Sequence, residues 1–121
     1  MSETALGKRI QLMASELGHR LFRMNSGMAW AGESIRITKE QNIIVYPGDV
    51  IVKKARPFHA GFPGMLDYGG WTKNGKTLWT EIKTPTGKIR PEQIQFIKAV
   101  KNCGGVAEII RDEETAFDLL S

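Results

Sequence analysis

Cysteine occurs once in the 121 residues, at Cys103. That excludes an internal disulfide framework and any zinc site built from thiolates. Long apolar runs are missing as well. The longest are about five residues, as in Asn42-Ile43-Ile44-Val45-Tyr46, far short of the roughly 20 needed to span a bilayer. The N-terminus carries no apolar signal-peptide core, and there is no repeat, low-complexity tract or linker. With 41% hydrophobic and 25% charged residues, the composition is that of a globular chain and not of a disordered one. The expectation is one domain over residues 1–121, without a membrane partner, in the cytoplasm.

Negative charge is scarce except at one end. From Glu108 onward five carboxylates face one Arg111, a balance of −4, whereas the preceding 107 residues balance at +8. A basic body on so small a domain fits a polyanionic partner, most often nucleic acid. A basic surface kept for solubility is the plainer alternative.

Hydrophobic spacing divides the chain into elements. Ser2 can cap a helix from about Glu3 to Leu17, with Leu6, Ile10, Met13 and Leu17 on one stripe and Gly18 as a stop. Leu21-Phe22-Arg23-Met24 reads as a strand, and Ile35 and Ile37 alternate as in a strand or edge segment. Residues 43–46 and 50–54 around Pro47-Gly48-Asp49 predict a hairpin. Pro57 to Gly64 is a loop. Met65–Trp71 and Thr77–Lys83 flank Asn74-Gly75, a strong hairpin signal. Pro91 opens a second helix to Asn102, with Ile94, Ile97 and Val100 as its buried stripe; Val106–Ile110 is a last strand and Glu113–Leu120 a last helix. The order is that of an α/β sandwich around one sheet.

Glu81 and Lys83 share a strand face at the entrance to the loop Thr84-Pro85-Thr86-Gly87. A carboxylate and a lysine so placed can hold a divalent cation and offset charge on a phosphate, but such a pair is also common on solvated strands. Asp67 gives it weight. A two-residue turn pairing residues 73 and 76 would set Asp67 opposite Ile82, on the wrong face. A bulge at Gly69-Gly70 would bring Asp67 opposite Glu81, where two carboxylates repel unless a cation or proton lies between them. The expected metal site is Asp67, Glu81 and the backbone carbonyl of Ile82. Glu3 falls on the stripe that faces the core, where an acid needs a partner, or it serves the helix dipole. Gln93 stands at the third helical position, where it can serve the helix start. Lys88 and Arg90 can grip phosphates, as can Lys53, Lys54 and Arg56 on the earlier hairpin. His19 and His59 lack a partner at a recognisable spacing and are expected at the surface or in loops. Trp30, Trp71 and Trp79 read as packing or strand-face aromatics, and Cys103 as core.

Taken together, the early Glu3, Leu17-Gly18, Arg23-Met24-Asn25-Ser26-Gly27, Gly64-Met65-Leu66-Asp67, Glu81-Ile82-Lys83, Arg90-Pro91-Glu92-Gln93 and Gly104-Gly105-Val106-Ala107 resemble the virus-type replication-repair nuclease (VRR-NUC) domain. That domain is a branch of the PD-(D/E)xK nuclease superfamily. The resemblance runs nearly end to end. It departs at Leu66, where the family usually has proline, and at Met24, where it often has asparagine. Nothing is carried over to residues 28–56. It implies a restriction-endonuclease-like α-β-β-β-α-β core, a mixed central sheet flanked by helices. It also implies Mg²⁺- or Mn²⁺-dependent hydrolysis of DNA phosphodiesters. Asp67 and Glu81 would ligate the metal, Lys83 would position the water, and Glu3 and Gln93 would complete the site. Arg23 and Asn25 would contact DNA. A phage-type endonuclease selective for branched DNA, such as a Holliday-junction resolvase acting as a homodimer, is the first expectation. The alternatives are a monomeric flap or nicking endonuclease, or a catalytically silent nucleic-acid-binding module.

Overall fold

Helix α1 (Glu3–Glu16) starts where the Ser2 hydroxyl accepts the Ala5 N–H at 3.1 Å and ends before Gly18, whose φ of +90° suits glycine. Its apolar stripe is the sequence-predicted one, with Leu6, Ile10 and Ala14 buried and Met13 and Leu17 packed against them. The computed structural model describes residues 1–24, 30–57 and 61–121. The chain falls into two compact units, residues 1–26 with 60–121, and residues 27–59.

In the larger unit, α1 is followed by β1 (Arg20–Arg23), β2 (Tyr68–Trp71), β3 (Thr77–Ile82), α2 (Pro91–Asn102), β4 (Val106–Ile110) and α3 (Glu113–Leu120). The four strands form one mixed sheet in the order β1-β2-β3-β4, antiparallel except for the parallel β3–β4 pair. Strand alternation divides the sheet into two faces. Leu21, Tyr68, Leu78, Ile82 and Ile110 point to one face and pack with α1 and with Ala116 and Leu120 of α3. Trp79 and Ala107 point to the other, where Leu66 and the α2 residues Phe96, Ile97 and Val100 cover them. This is a mixed α/β architecture with helices on both faces. Among the described residues no helix is long and apolar enough to cross a membrane.

Some expectations are corrected. His19 is not a surface residue. Its Nδ1 accepts the Lys73 N–H at 3.0 Å, so Nε2 carries the proton and donates to the Leu120 carbonyl at 2.6 Å. The buried ring thereby ties the β2–β3 turn to the end of α3. Ile94 is exposed on α2, because the helix meets the sheet through Gln93, Phe96, Ile97 and Val100 instead. Cys103, at the C-cap of α2, is exposed and not core.

In the second unit the expected hairpin does not form, nor does the Ile35–Ile37 strand. Among residues 30–57 none is in a strand. The turn at Pro47-Gly48 does form: Asp49 N–H donates to the Tyr46 carbonyl and Tyr46 N–H to Asp49 Oδ2. Ile43, Ile44, Val45, Val50, Ile51 and Val52 are all exposed. A two-stranded ribbon without a covered face has little to hold it. His59 lies outside the described residues.

Thr80, fully buried on the α1 face, has a hydroxyl with no hydrogen-bond partner among the described residues. An unsatisfied buried hydroxyl costs about 1–3 kcal/mol. Thr80→Val is therefore expected to raise stability by about 1 kcal/mol, read as a rise of a few degrees in thermal melting. A fall of the same size would show that the hydroxyl has a partner.

Candidate active site

The site is built on the end of the β2–β3 hairpin. Lys73, Asn74 and Gly75 form a three-residue turn: Thr72 N–H donates to the Lys76 carbonyl at 2.8 Å and Gly75 N–H to the Thr72 carbonyl at 2.9 Å, with Gly75 at φ +83°. This is the turn whose last residue must be left-handed, a position glycine takes without strain. It aligns Tyr68 with Thr80 and Trp71 with Thr77. The same register carries Asp67 opposite Glu81. The expected bulge at Gly69-Gly70 is absent; the extra residue sits in the turn. Those glycines serve close packing instead: a Cβ on Gly69 would lie 2.7 Å from the Trp79 ring, and one on Gly70 would strike the Arg20 backbone.

Asp67 and Glu81 are joined by the Asp67 N–H, which donates to Glu81 Oε1 at 2.9 Å. The other oxygen, Oε2, is 3.4 Å from Lys83 Nζ. Gln93, 1% exposed, donates its side-chain amide to the Glu81 carboxylate and accepts the Arg90 N–H on its Oε1 at 3.0 Å. The Arg90 guanidinium has no acceptor to complete a reciprocal cap, so Gln93 both starts α2 and positions Glu81. Gly64 lets this happen: a Cβ there would collide with the Glu92 carbonyl, so the chain leading to Asp67 lies directly on the first turn of α2.

Glu81 is 3% exposed. Burial raises its pKa above the usual carboxylate range and the Asp67 charge raises it further. The Asp67 N–H, Lys83 and Gln93 work against that rise. On the opposite face Tyr68 lies directly against α1, where a Cβ on Gly7 would collide with its hydroxyl. Its pKa is raised by burial; nearby Arg23 lowers it, and Asp67, Glu3 and Glu81 add to the rise. These fields gather Glu3 and Arg23 at the same end of the sheet.

The structure brings only some of the sequence-predicted residues together. Asp67, Glu81, Lys83 and Gln93 converge, with Ile82 as the last residue of β3. Glu3 is exposed and not on the buried stripe, because the first turn of α1 overhangs the core; its Oε1 accepts the Thr84 N–H at 3.2 Å. Lys88 and Arg90 are exposed on the β3–α2 loop, whereas Lys53, Lys54 and Arg56 are exposed in the second unit, on no hairpin. Asn25 lies outside the described residues. Sequence reading missed Arg111, whose Nη1 donates to the carbonyls of Thr84, Pro85 and Gly87 at 2.6, 3.3 and 2.9 Å and so shapes the loop after Lys83. Its signal was its isolation as the one cation of an acidic tail.

Among the described residues no three His, Cys, Asp or Glu side chains converge on one point. The donor set is therefore two carboxylates. That suits Mg²⁺, which is commonly bound through one or two carboxylates while keeping several waters. Comparisons with family models, with curated proteins and with solved structures found no match to this chain.

The raised Glu81 pKa has a measurable consequence. The folded chain holds this proton more tightly than the unfolded chain, so ionisation costs stability. Stability that Glu81 contributes below about pH 4.5 is lost as pH rises through its folded-state pKa. Melting temperatures of wild type and Glu81→Gln are expected to run parallel at low pH and to separate above it, the variant becoming the more stable. Parallel curves at every pH would show that Glu81 is not strained by its surroundings.

Proposed function

We propose that the chain is a metal-dependent DNA endonuclease of restriction-endonuclease-like fold, selective for branched DNA and acting on four-way junctions as a homodimer. The observation that carries this reading is the convergence of Asp67, a buried Glu81, Lys83 and Gln93 at one strand end. Two carboxylates against one lysine, with a glutamine spent on aiming one of them, is a costly arrangement for a merely structural strand end. The basic body supports a polyanionic substrate held through its backbone, with little base preference. Because two symmetric cuts require two sites, a two-fold dimer is the natural assembly.

Asp67 and Glu81, with the Ile82 carbonyl, would hold the cation. Bound there, Mg²⁺ or Mn²⁺ supplies Lewis-acid polarisation of a phosphate oxygen and a water of lowered pKa. Gln93 fixes the Glu81 carboxylate and the Asp67 N–H restrains its Oε1. The Lys83 ammonium, beside Oε2, offsets the negative charge that develops on the phosphate and positions the attacking water. Lys88 and Arg90, presented on the loop that Arg111 shapes, hold the flanking phosphates. Glu3 fastens the N-terminus of α1 to Thr84 at the same rim.

The test is cleavage of labelled four-way junction, flap, splayed arm, duplex and single strand with Mg²⁺, Mn²⁺ or EDTA. Symmetric metal-dependent cuts in the junction are expected, with Asp67→Asn and Lys83→Ala each losing about 10²–10³ in rate, the size typical of removing one transition-state contact. Wild type should also gain about 2.7 kcal/mol of stability at Mg²⁺ a hundredfold above its dissociation constant, and Asp67→Asn should not. Cuts confined to flaps or splayed arms would replace the junction enzyme with a monomeric flap or nicking endonuclease. Binding without cutting, and without Mg²⁺ stabilisation, would leave a silent nucleic-acid-binding module.

A further inference from the structure

Within the larger unit, helix α2 covers the Trp79 and Ala107 half of the sheet face that carries Asp67 and Glu81, and among the described residues no other helix of that unit lies over the β1–β2 half of this face. Cross-strand register arranges that face in three rows. The first is Met24 beside Asp67 and Glu81, the second Phe22 beside Gly69 and Trp79, and the third Arg20 beside Trp71 and Thr77. Trp79 is packed, edge-on to Phe96 at 5.0 Å. Phe22 and Trp71 are not: they are 48% and 50% exposed, and their rings touch each other at 5.5 Å across side-chain-free Gly69. Scattered exposed apolar residues need no explanation, but two half-exposed large aromatics in ring contact on one sheet face mark a contact surface.

Position and charge together identify the occupant. At about 3.3 Å per strand residue, the backbone positions of the pair lie roughly 7–13 Å from Asp67 along the sheet. Of the cations near the pair, Arg20 stands in the same row as Trp71 and on the same face, Lys73 lies in the adjoining turn, and Arg23 alternates to the α1 face beside Tyr68. Exposed aromatic faces with a cation beside them match nucleic-acid bases whose faces are free, since stacking accepts any base and the cation follows the phosphates. A duplex offers few free faces; the unpaired nucleotides at a branch do. We infer that Phe22 and Trp71 form a stacking platform for unpaired nucleotides next to the cleaved phosphate, and so select branched over plain duplex DNA. This rests on the nuclease reading of Asp67 and Glu81.

The experiment measures binding, in EDTA, of a fluorescent splayed-arm DNA and a blunt duplex of equal length. Phe22→Ala/Trp71→Ala is expected to weaken splayed-arm binding about 5- to 150-fold, the range for loss of one stacked base, and to leave duplex binding within about twofold, the phosphate contacts being intact. Both side chains are half exposed, so its melting temperature should match wild type. Phe22→Tyr/Trp71→Tyr, which keeps two ring faces, should retain the splayed-arm preference. Equal loss on both DNAs, or loss on neither, overturns the platform. If the alanine variant turns a wild-type dimer into a monomer with DNA affinity unchanged, a second copy of the chain occupies this face and the platform is likewise overturned. The two readings fail separately. A wild-type chain with the ring-dependent preference that cuts no DNA in Mg²⁺ or Mn²⁺ loses the nuclease and keeps the platform. One that cuts, with an alanine variant equal to wild type in binding, keeps the nuclease and loses the platform.

Discussion

A single residue of turn length decides whether Asp67 and Glu81 meet. With a side-chain period of two, a shift of one position along β2 would send Asp67 to the face of α1 and leave Glu81 opposite an apolar neighbour. The three-residue turn at Lys73-Asn74-Gly75 fixes the register that keeps both acids together. Gly75 supplies its left-handed corner, and the Thr72 hydroxyl reinforces it by accepting the Lys76 N–H at 3.1 Å. His19 holds the same turn from below through the Lys73 N–H.

Given that register, the surroundings of Glu81 explain how a buried acid is tolerated. An isolated carboxylate in an apolar interior would cost far more than a fold can bear. Here it keeps one backbone donor, one amide and one ammonium, all on neighbouring elements of the same face. These donors leave its pKa raised all the same, because burial and the Asp67 charge outweigh them. Gly64 and Arg111 are the less visible supports. The first lets the Asp67 segment touch the start of α2; the second gathers three carbonyls of the loop that leads there.

Every element of the larger unit was legible in the sequence, because each carries its own period and punctuation: Ser2 and Gly18 around α1, Asn74-Gly75 between β2 and β3, Pro91 at α2. The convergence of Asp67 with Glu81 was legible too, but its cause was misplaced. The sequence offered two places for the extra residue, Gly69-Gly70 and the Asn74-Gly75 turn, and only tertiary contact shows that Trp79 and the Arg20 backbone occupy the first. The failure at residues 43–54 has a different origin. β-branched residues and a competent turn describe a strand that has a face to bury, and this segment buries none. His19 was opaque because its partners, Lys73 and Leu120, are backbone groups, which no side-chain spacing can announce.

The two helices on the far face of the larger unit are together net negative and the one on the near face net positive. Glu3, Glu16, Glu113, Glu114 and Asp118 stand on α1 and α3 against Lys8 and Arg9, while α2 sets Lys98 and Lys101 against Glu92. Within the larger unit the sheet thus stands between helices of opposite net charge, negative behind and positive in front. A polyanion approaching from bulk solvent feels a torque before it feels a contact, and the side turned toward it is the one bearing Lys83, Lys88 and Arg90. The acidic tail that lowers the overall charge therefore sharpens orientation: it weakens the attraction of any polyanion to the back of the larger unit more than to the front.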